Sequence, residues 1–314
     1  MPDASPILFF GTPELAVPTL ATLVESGRAP VRVVTQPSRP AGRGRQLQDP
    51  PVARWAREHG LPVLQPEKVR DPAFLDELRP LEPGAAVVVA FGQIFPRALL
   101  ELPRHGCINL HASLLPRYRG ASPIQAAVAA GETRTGVTTM LMEEGLDSGP
   151  ILLQEETEIG SSQTAGELSR RLADLGAGLV VRTLEKLEKG TLAPRPQDPA
   201  EATYAPRLTR ESGRVDWSLG ARELFNRLRA FTPWPGLTAE LRGEPVKLVW
   251  AEALEGVAAG EEPGTFLGLR DGLLAVACGG GALGVRELQR PGRKPLKAAD
   301  FLNGERLRAG EKLS

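Results

Sequence analysis

The sequence predicts two domains: a doubly wound, mostly parallel α/β sheet of the Rossmann-like class, followed by a small OB-like β-barrel. Two observations predict the first domain: short apolar segments alternate with helical ones, and several of the apolar segments contain no polar residue. One observation predicts the second: from about residue 208, short strand-like segments are separated by frequent glycine turns. A chain of 314 residues is long enough to bury two hydrophobic cores.

The first half of the chain gives the alternating strands and helices in order. Sheets of this class bind ligands at the carboxyl ends of their strands, so functional residues are expected to follow predicted strands. The predicted strands are residues 7–10, 31–36, 62–65, 85–91, 107–111 and 137–142. The predicted helices are residues 15–26, 52–59, 72–78, 123–130 and 163–187.

The second half begins after a polar, proline-rich stretch at 190–199. We therefore predict a linker at 191–207, between a first domain at 1–190 and a barrel domain at 208–314. One helix at 221–231 precedes predicted strands at 238–241, 246–250, 264–269, 273–277 and 282–288. We interpret the aromatic residues there as core packing: Trp217, Phe225, Phe231 and Trp234.

Composition and motifs exclude several functions. The 38 basic and 38 acidic residues balance, so any contact with nucleic acid must come from a local patch. Cys107 and Cys278 give neither metal-ligand spacing nor a disulfide framework, as expected of a reducing compartment. Gly11-Thr12-Pro13 stands where dinucleotide-binding proteins have a glycine-rich loop, which argues against a dinucleotide cofactor. Since we find no signal peptide and no apolar run of roughly 20 residues, we expect a cytoplasmic protein without membrane contact.

Two polar residues stand on the predicted strand at 107–111. Asn109 and His111 are two positions apart, so their side chains share one face, while Ile108 and Leu110 point to the other. Polar groups on an otherwise apolar strand are costly to bury unless they are paired or used. For these two residues alone, structural hydrogen bonding is the simpler interpretation, and the rest of the chain has to decide.

Asp147 offers a carboxylate in the loop after the predicted strand at 137–142. Its glycine and serine neighbours also fit an ordinary turn aspartate. Because the loop leaves a strand of the same sheet, we expect it to overhang the carboxyl edge where His111 lies. A carboxylate fixes an imidazole and favours its charged form, and Asn109 can donate to a developing oxyanion. Together these groups suit transfer through a tetrahedral carbon without a metal or a nucleophilic side chain.

Longer motifs around these residues resemble the folate-dependent formyltransferase family. The resemblance rests on Asn109-x-His111-x-Ser113-Leu-Leu-Pro-Arg-Tyr-Arg-Gly120 and on Gly145-Leu-Asp147-x-Gly149. Further segments resemble the branch that acts on methionyl-tRNA: Phe10-Gly11-Thr12-Pro13-Glu14, the arginine-rich loop at 35–45, and Ala230-Phe231-Thr232-Pro233-Trp234-Pro235-Gly236. The resemblance covers essentially the whole chain and is weak after residue 240. It departs at Leu15, where an aromatic residue is frequent, and at Thr232, where asparagine is usual.

The resemblance implies transfer of a formyl group from 10-formyltetrahydrofolate to the α-amino group of methionyl initiator tRNA, without a metal. It implies that Asn109 and His111 stabilise the oxygen and that Asp147 orients His111 and helps the proton move. Nothing in the sequence demands more than a monomer. The implied folate pocket, with apolar walls for a flat pterin, consists of Phe91, Gly92, Ser113, Leu114, Leu115 and Pro116.

Two basic segments are candidates for contact with tRNA phosphates, which arginines can bind bidentately. The first is a loop rich in glycine and proline; the second lies in the predicted barrel. Both compositions also fit an ordinary solvated surface. The residues are Arg39, Arg43 and Arg45 in the loop, and Arg290, Arg293 and Lys294 in the barrel.

Other functions are compatible with parts of this pattern. The same fold and site can serve another formyl acceptor, such as a nucleotide-sugar amine, or water in a 10-formyltetrahydrofolate hydrolase. The arginine loop and the separate second domain argue against both. A non-catalytic RNA-binding module is a further alternative, against which the intact set of Asn109, His111 and Asp147 argues.

Overall fold

The computed structural model describes residues 5–41, 46–254, 256–257 and 260–314, and up to residue 205 it follows the predicted alternation. The strands are β1 (Ile7–Gly11), β2 (Arg32–Val34), β3 (Arg39–Ala41), β4 (Gln46–Gln48), β5 (Val63–Leu64), β6 (Ala85–Val89), β7 (Cys107–His111), β8 (Arg119–Gly120), β9 (Arg134–Leu141), β10 (Ile151–Glu158) and β11 (Tyr204–Ala205). The helices are α1 (Val17–Glu25), α2 (Pro51–Glu58), α3 (Pro72–Leu78), α4 (Arg97–Leu100), α5 (Pro123–Ala129) and α6 (Ala165–Glu188).

Seven of these strands form one sheet in the order β10-β9-β7-β6-β1-β2-β5. Strands β5, β2, β1, β6 and β7 are parallel; β9 pairs antiparallel to β7, and β10 pairs antiparallel to β9. The predicted mostly parallel sheet is therefore confirmed. Every residue of β1 and β6 is buried, as a strand covered on both faces requires.

Strand β10 is an element that the sequence patterns did not predict. It begins with apolar residues, but its second half, from Gln154 to Glu158, is polar and partly exposed. The strand lies at the edge of the sheet and pairs only with β9 in the strand order. An edge strand has a neighbouring strand on one side only and tolerates charged residues. The composition of β10 therefore resembles that of a loop.

The aromatic core under the sheet edge involves three phenylalanines. The ring of Phe10 packs edge-on against Phe91 and Phe95, with centroid separations of 5.4 and 4.9 Å. These contacts fix the start of the loop that follows β6, at the carboxyl edge of the parallel strands.

A second compact unit comprises residues 124–133, 159–168 and the described residues from 206 onwards. Its main sheet has the order β12-β13-β16-β15-β14, with β17 paired to β16. These strands are β12 (Leu237–Leu241), β13 (Glu244–Leu254), β14 (Phe266–Arg270), β15 (Leu273–Ala277), β16 (Ala282–Gln289) and β17 (Leu296–Lys297). The helices of this part are α7 (Ala221–Ala230) and α8 (Ala298–Glu305), of which α8 was not predicted.

The last residues of the chain join the two edges of this sheet. Leu313 forms a bridge with Leu241 of β12, and Lys312 forms one with Thr265, directly before β14. The antiparallel sheet therefore curls far enough for one short segment to bond to both edge strands, as in a small barrel.

The aromatic residues of the second unit agree with the prediction in all but one case. Trp217, Phe225 and Phe231 are buried. Trp234 is 52% exposed, so its assignment to the core was wrong. It lies in the turn between α7 and β12, flanked by Pro233 and Pro235, where the chain has left the packed helix face.

The proline-rich stretch at 191–205 is bound to the first unit. The backbone of Arg195 pairs with Ile151 through two hydrogen bonds of 2.8 Å, and β11 pairs with β8. Besides this stretch, the first unit comprises the described residues up to 123, residues 134–158 and the part of α6 from residue 169. The limits at 190 and 208 remain predictions about domain organisation.

Candidate active site

Strand β7 presents Asn109 and His111 on one face. Asn109 lies between Val88 of β6 and Met140 of β9, and His111 pairs with Thr138. The opposite face packs on α6, since a Cβ at Gly176 would come within 2.6 Å of the Leu110 side chain. His111 is 6% exposed and Asn109 is half-buried. The alternation predicted from the sequence therefore places both polar groups on the same side of the sheet.

The Asp147 carboxylate reaches both of these side chains. Its Oδ1 accepts from Asn109 Nδ2 at 3.5 Å, and its Oδ2 lies 3.6 Å from His111 Nδ1. The backbone N–H of Gly120 donates to Oδ2 at 2.7 Å. The structure thus brings together the three residues that the sequence singled out, with the carboxylate held by a backbone donor.

The loop that carries Asp147 reaches the site by a different route from the predicted one. Strand β9 is antiparallel to β7, and Met142 N donates to Cys107 O, so the chain leaves β9 at the amino end of β7. The expectation that the loop overhangs the carboxyl edge directly was therefore wrong. The loop instead folds back along the face of β7, because it turns within a few residues between Gly145 and Gly149. A Cβ at Gly149 would collide with the carbonyl oxygen of Leu141.

The protonation of His111 follows from its second partner. Its Nε2 lies 2.8 Å from the carbonyl oxygen of Tyr118. Because a carbonyl oxygen only accepts, this hydrogen bond places a proton on Nε2 and leaves Nδ1 facing Asp147. Nδ1 is therefore the nitrogen available to hold or pass a proton.

The nearby thiol of Cys107 is not a nucleophile. Burial raises the pKa of Cys107 to about 12, so the thiolate is scarce at neutral pH. Its Sγ lies 3.5 Å from the carbonyl oxygen of Leu99, to which it donates. The chemistry of β7 therefore rests on Asn109 and His111.

The predicted folate contacts Phe91 and Gly92 lie at the end of β6. The ring of Phe91 is buried in the aromatic core, so only its backbone is left to meet a ligand. Its carbonyl oxygen accepts from Thr12 Oγ1 and from Gln36 Nε2, each at 3.1 Å. Gly92 has φ of 86°, a conformation that favours glycine.

The predicted folate turn, residues 113–116, follows β7 directly. Ser113 is fully buried and donates to Arg117 O at 2.7 Å, so its hydroxyl serves the turn itself. Leu115 is also buried, and its N–H donates to Thr138 Oγ1 at 3.2 Å. Leu114 and Pro116 are half-buried and are the members of the turn with surface left for a ligand.

An open cavity of about 450 Å³ adjoins the Asp147 loop. Sequence reasoning missed most of its lining, because nothing in the short α4 segment looks like a binding motif. The only available signal was the loop that follows β9, whose residues 142–145 line the cavity. The lining consists of Arg97, Leu100, Glu101, Met142, Glu143, Glu144 and Gly145.

The basic residues proposed for tRNA differ in their surroundings. Arg39 is exposed on β3, whereas Arg43 and Arg45 lie outside the described residues. Arg290 makes a bidentate pair with Glu305, at 2.9 and 3.0 Å, and also donates to Glu244 O. Arg293 and Lys294 are exposed. Since the guanidinium of Arg290 already has these partners, Arg39, Arg293 and Lys294 are better placed for phosphates.

The part of the chain that the structure describes contains neither a metal centre nor a membrane-spanning helix. No group of three or more His, Cys, Asp or Glu residues within it is arranged to hold a metal ion. None of its helices has the length and apolar character needed to cross a membrane.

An amide, an imidazole and a carboxylate on one face of an α/β sheet fit an enzyme that transfers a group through a tetrahedral carbon. Comparison with known proteins gives the family. Residues 6–184 match Formyl transferase, and residues 207–306 match Formyl transferase, C-terminal domain. This chain belongs to the formyl transferase family.

Relatives agree in sequence and in fold. The methionyl-tRNA formyltransferase of Citrifermentans bemidjiense is 50% identical over 305 residues, which cover 97% of this chain and 95% of that protein. The N-formyltransferase of Helicobacter canadensis, solved with folinic acid and dTDP-3-aminofucose, has a TM-score of 0.66 at 16% identity, covering 89% of this chain and 98% of that one. HypX of Aquifex aeolicus, solved with tetrahydrofolic acid, has a TM-score of 0.64 at 18% identity, covering 99% and 49%.

Proposed function

We propose that this chain is a methionyl-tRNA formyltransferase, which transfers the formyl group of 10-formyltetrahydrofolate to the α-amino group of methionyl initiator tRNA. The observation that carries the proposal is the position of the Asp147 carboxylate, 3.5 Å from Asn109 Nδ2 and 3.6 Å from His111 Nδ1. An ordinary turn aspartate has no need to approach both polar groups of β7. A cluster of this kind in a half-buried site is a common mark of catalysis.

The residues of the first unit fit a folate. The cavity beside the Asp147 loop combines the apolar side chains of Leu100 and Met142 with the carboxylates of Glu143 and Glu144. A pterin ring needs apolar contact together with acceptors for its N–H groups. HypX and the Helicobacter canadensis enzyme were solved with folates, which supports a folate as the cosubstrate of this chain. The backbone at Phe91 and Gly92 and the 113–116 turn are further proposed contacts.

The three polar side chains divide the work at the formyl carbon. The cosubstrate supplies a formyl group on a nitrogen that can leave as an amine. As the methionyl amine attacks, Asn109 donates an N–H to the formyl oxygen, and His111, once it has taken up a proton, stabilises the negative charge there through its positive charge. Asp147 holds His111 in place, and this pair carries the proton from the attacking amine towards the departing nitrogen. One C–N bond forms and one breaks, without a change in oxidation state.

The acceptor is inferred from the sequence relatives and from the basic residues. A relative that is 50% identical over 95% of its length is named for methionyl-tRNA. Arg39, Arg293 and Lys294 are exposed and can approach phosphates. Cytoplasmic location and a monomeric state belong to the same proposal.

The choice of acceptor tests this function. The purified protein, given 10-formyltetrahydrofolate, is expected to formylate methionyl initiator tRNA and to leave free methionine unreacted, as measured by N-formylmethionine recovered from each. Equally efficient transfer to free methionine would contradict the tRNA role. Preference for a nucleotide-linked amino sugar would favour the alternative acceptor.

A further inference from the structure

We infer that Gln197 is a positioning residue for Asp147; the chemistry it serves rests on the proposed function. Gln197 lies in the proline-rich stretch that the sequence predicts to be a linker. It is half-buried, whereas its neighbours on both sides are exposed. A single half-buried amide in an exposed stretch indicates a specific contact.

The amide of Gln197 binds the backbone of the Asp147 loop. Its Nε2 donates to the carbonyl oxygens of Asp147 and Gly149, both at 2.8 Å. Its Oε1 accepts from Nε and Nη2 of Arg119 at 3.0 and 2.8 Å. Arg119 directly precedes Gly120, whose N–H donates to the Asp147 carboxylate. Gln197 therefore joins the backbone of the loop to the segment that holds its side chain.

The orientation of this amide is fixed by its partners. A guanidinium only donates and carbonyl oxygens only accept, so Oε1 must face Arg119 and Nε2 must face the loop. No other uncharged side chain of the same length offers both functions. An ionised glutamate would keep the bonds to Arg119 but would set a carboxylate against two carbonyl oxygens.

The Asp147 loop needs such a support. Asp147 has φ of 49°, in the left-handed region that non-glycine residues occupy at a cost. A backbone relaxed from this conformation would carry the carboxylate away from Asn109 and His111. Displacements of about 1 Å in a catalytic group can reduce the rate by roughly 100-fold.

Arg195, two residues before Gln197, supports the 113–116 turn through Gln154. Arg195 Nη2 donates to Gln154 Oε1 at 2.7 Å, and Gln154 Nε2 donates to Leu115 O at 2.9 Å. The stretch at 195–197 thus reaches both the Asp147 loop and the 113–116 turn. The stretch at 195–197 is therefore able to position both of these segments of the site.

The experiment compares Gln197→Met and Gln197→Glu with the wild-type full chain. Both variants are expected to lower kcat by about 10- to 100-fold with KM for the folate changed by less than about twofold, because the site is displaced and not emptied. In the Asp147→Asn background, Gln197→Met should lower kcat by less than about twofold, since it acts through Asp147. Full additivity of the two substitutions would overturn the inference, as would wild-type kcat in both single variants.

A second readout does not depend on catalysis. The amide hydrogen of Gly120, which donates to Asp147, is expected to exchange at least about tenfold faster in Gln197→Met. Gln65→Met is the matched control, because Gln65 also accepts from an arginine, Arg57, and donates to a backbone carbonyl, that of Gln36. The control should leave Gly120 exchange unchanged.

The outcomes separate this inference from the proposed function. If the wild-type protein does not formylate methionyl-tRNA, the function fails, while Gly120 exchange still decides whether Gln197 holds the loop. Unchanged Gly120 exchange in Gln197→Met would overturn the inference. A melting temperature lowered equally in both Gln197 variants, with exchange accelerated throughout the first unit, would assign Gln197 to general stability and overturn it as well.

Discussion

At the scale of single residues, Asn109 has one amide N–H beside Asp147 and a second N–H left for substrate. We predict that Asn109→Ala lowers kcat by about 100- to 1000-fold, the range typical of a lost oxyanion donor. KM for the folate should stay within a few-fold, because the donor acts mainly in the transition state. Steady-state formylation kinetics measure both values. A raised KM for the folate with an unchanged kcat would show that Asn109 only binds the folate and takes no part in the mechanism.

Asp147 allows charge and shape to be separated. Asp147→Asn keeps an oxygen that can accept from Gly120 N–H but loses the negative charge beside His111. We predict a fall in kcat of at least about 100-fold with an unchanged melting temperature. Activity near that of the wild type would show that the charge is not needed for proton transfer.

The sequence predicts the proximity of these three residues well and the residues that support them poorly. Strand alternation suffices to place Asn109 and His111 together, because that period is a local property. The path predicted for the Asp147 loop was wrong, since the strand direction that sets it depends on pairing across the sheet. Gln197 left no local signal: prolines and exposed neighbours are also what a linker contains.

At the scale of elements, helix α8 is tied to the second unit by a charged pair. The guanidinium of Arg290 holds the pKa of Glu305 below its ordinary value, mainly through their hydrogen bonds. A carboxylate with a lowered pKa stabilises the fold fully above the unfolded value of about 4.3 and loses this contribution as the pH falls further.

We predict that Glu305→Gln lowers the free energy of unfolding by about 1 kcal/mol at pH 7, since the pair is bidentate but partly exposed. The difference from the wild type should shrink as the pH falls below the unfolded value of about 4.3 and through the lowered pKa of Glu305 in the fold. Urea unfolding at pH 7 and at a pH below the unfolded pKa of Glu305 measures the free energy of unfolding of both proteins. A difference that is the same at the two pH values would argue against the charge interaction.

Elements with strong patterns were predictable, and elements at edges were not. The buried strands β1 and β6 are apolar runs between turns, so their sequences specify them. Strand β7 is equally clear, because its two polar residues alternate with apolar ones. Strand β10 escaped prediction because an edge strand tolerates charge, and α8 because a short helix with Asn303 and Gly304 has little helical propensity.

At the scale of the whole molecule, the balanced net charge means that tRNA binding must depend on a few local cations. We predict that Arg43→Ala raises KM for methionyl-tRNA and leaves folate binding near normal, because we propose that this loop arginine binds a phosphate. The slope of log KM against log salt should fall by about 0.7 to 0.9 for each arginine–phosphate pair removed. Unchanged tRNA kinetics and unchanged salt dependence would indicate that the loop is an ordinary solvated surface.

The division of the chain into a sheet unit and a small antiparallel unit was also readable from the sequence, because the hydrophobic pattern changes after residue 208. The membership of residues 124–133 and 159–168 in the second unit was not, since it depends on the packing of segments that are distant in the chain. Local patterns carry no information on such packing.

The most direct test of the central claim is the stoichiometry of the reaction. Formyl transfer at the Asn109–His111–Asp147 site predicts one tetrahydrofolate released for each N-formylmethionyl-tRNA formed, and negligible release without tRNA. Both products are measured in one single-turnover experiment with the full chain. Tetrahydrofolate released at the same rate with and without methionyl-tRNA would contradict the account and indicate transfer to water.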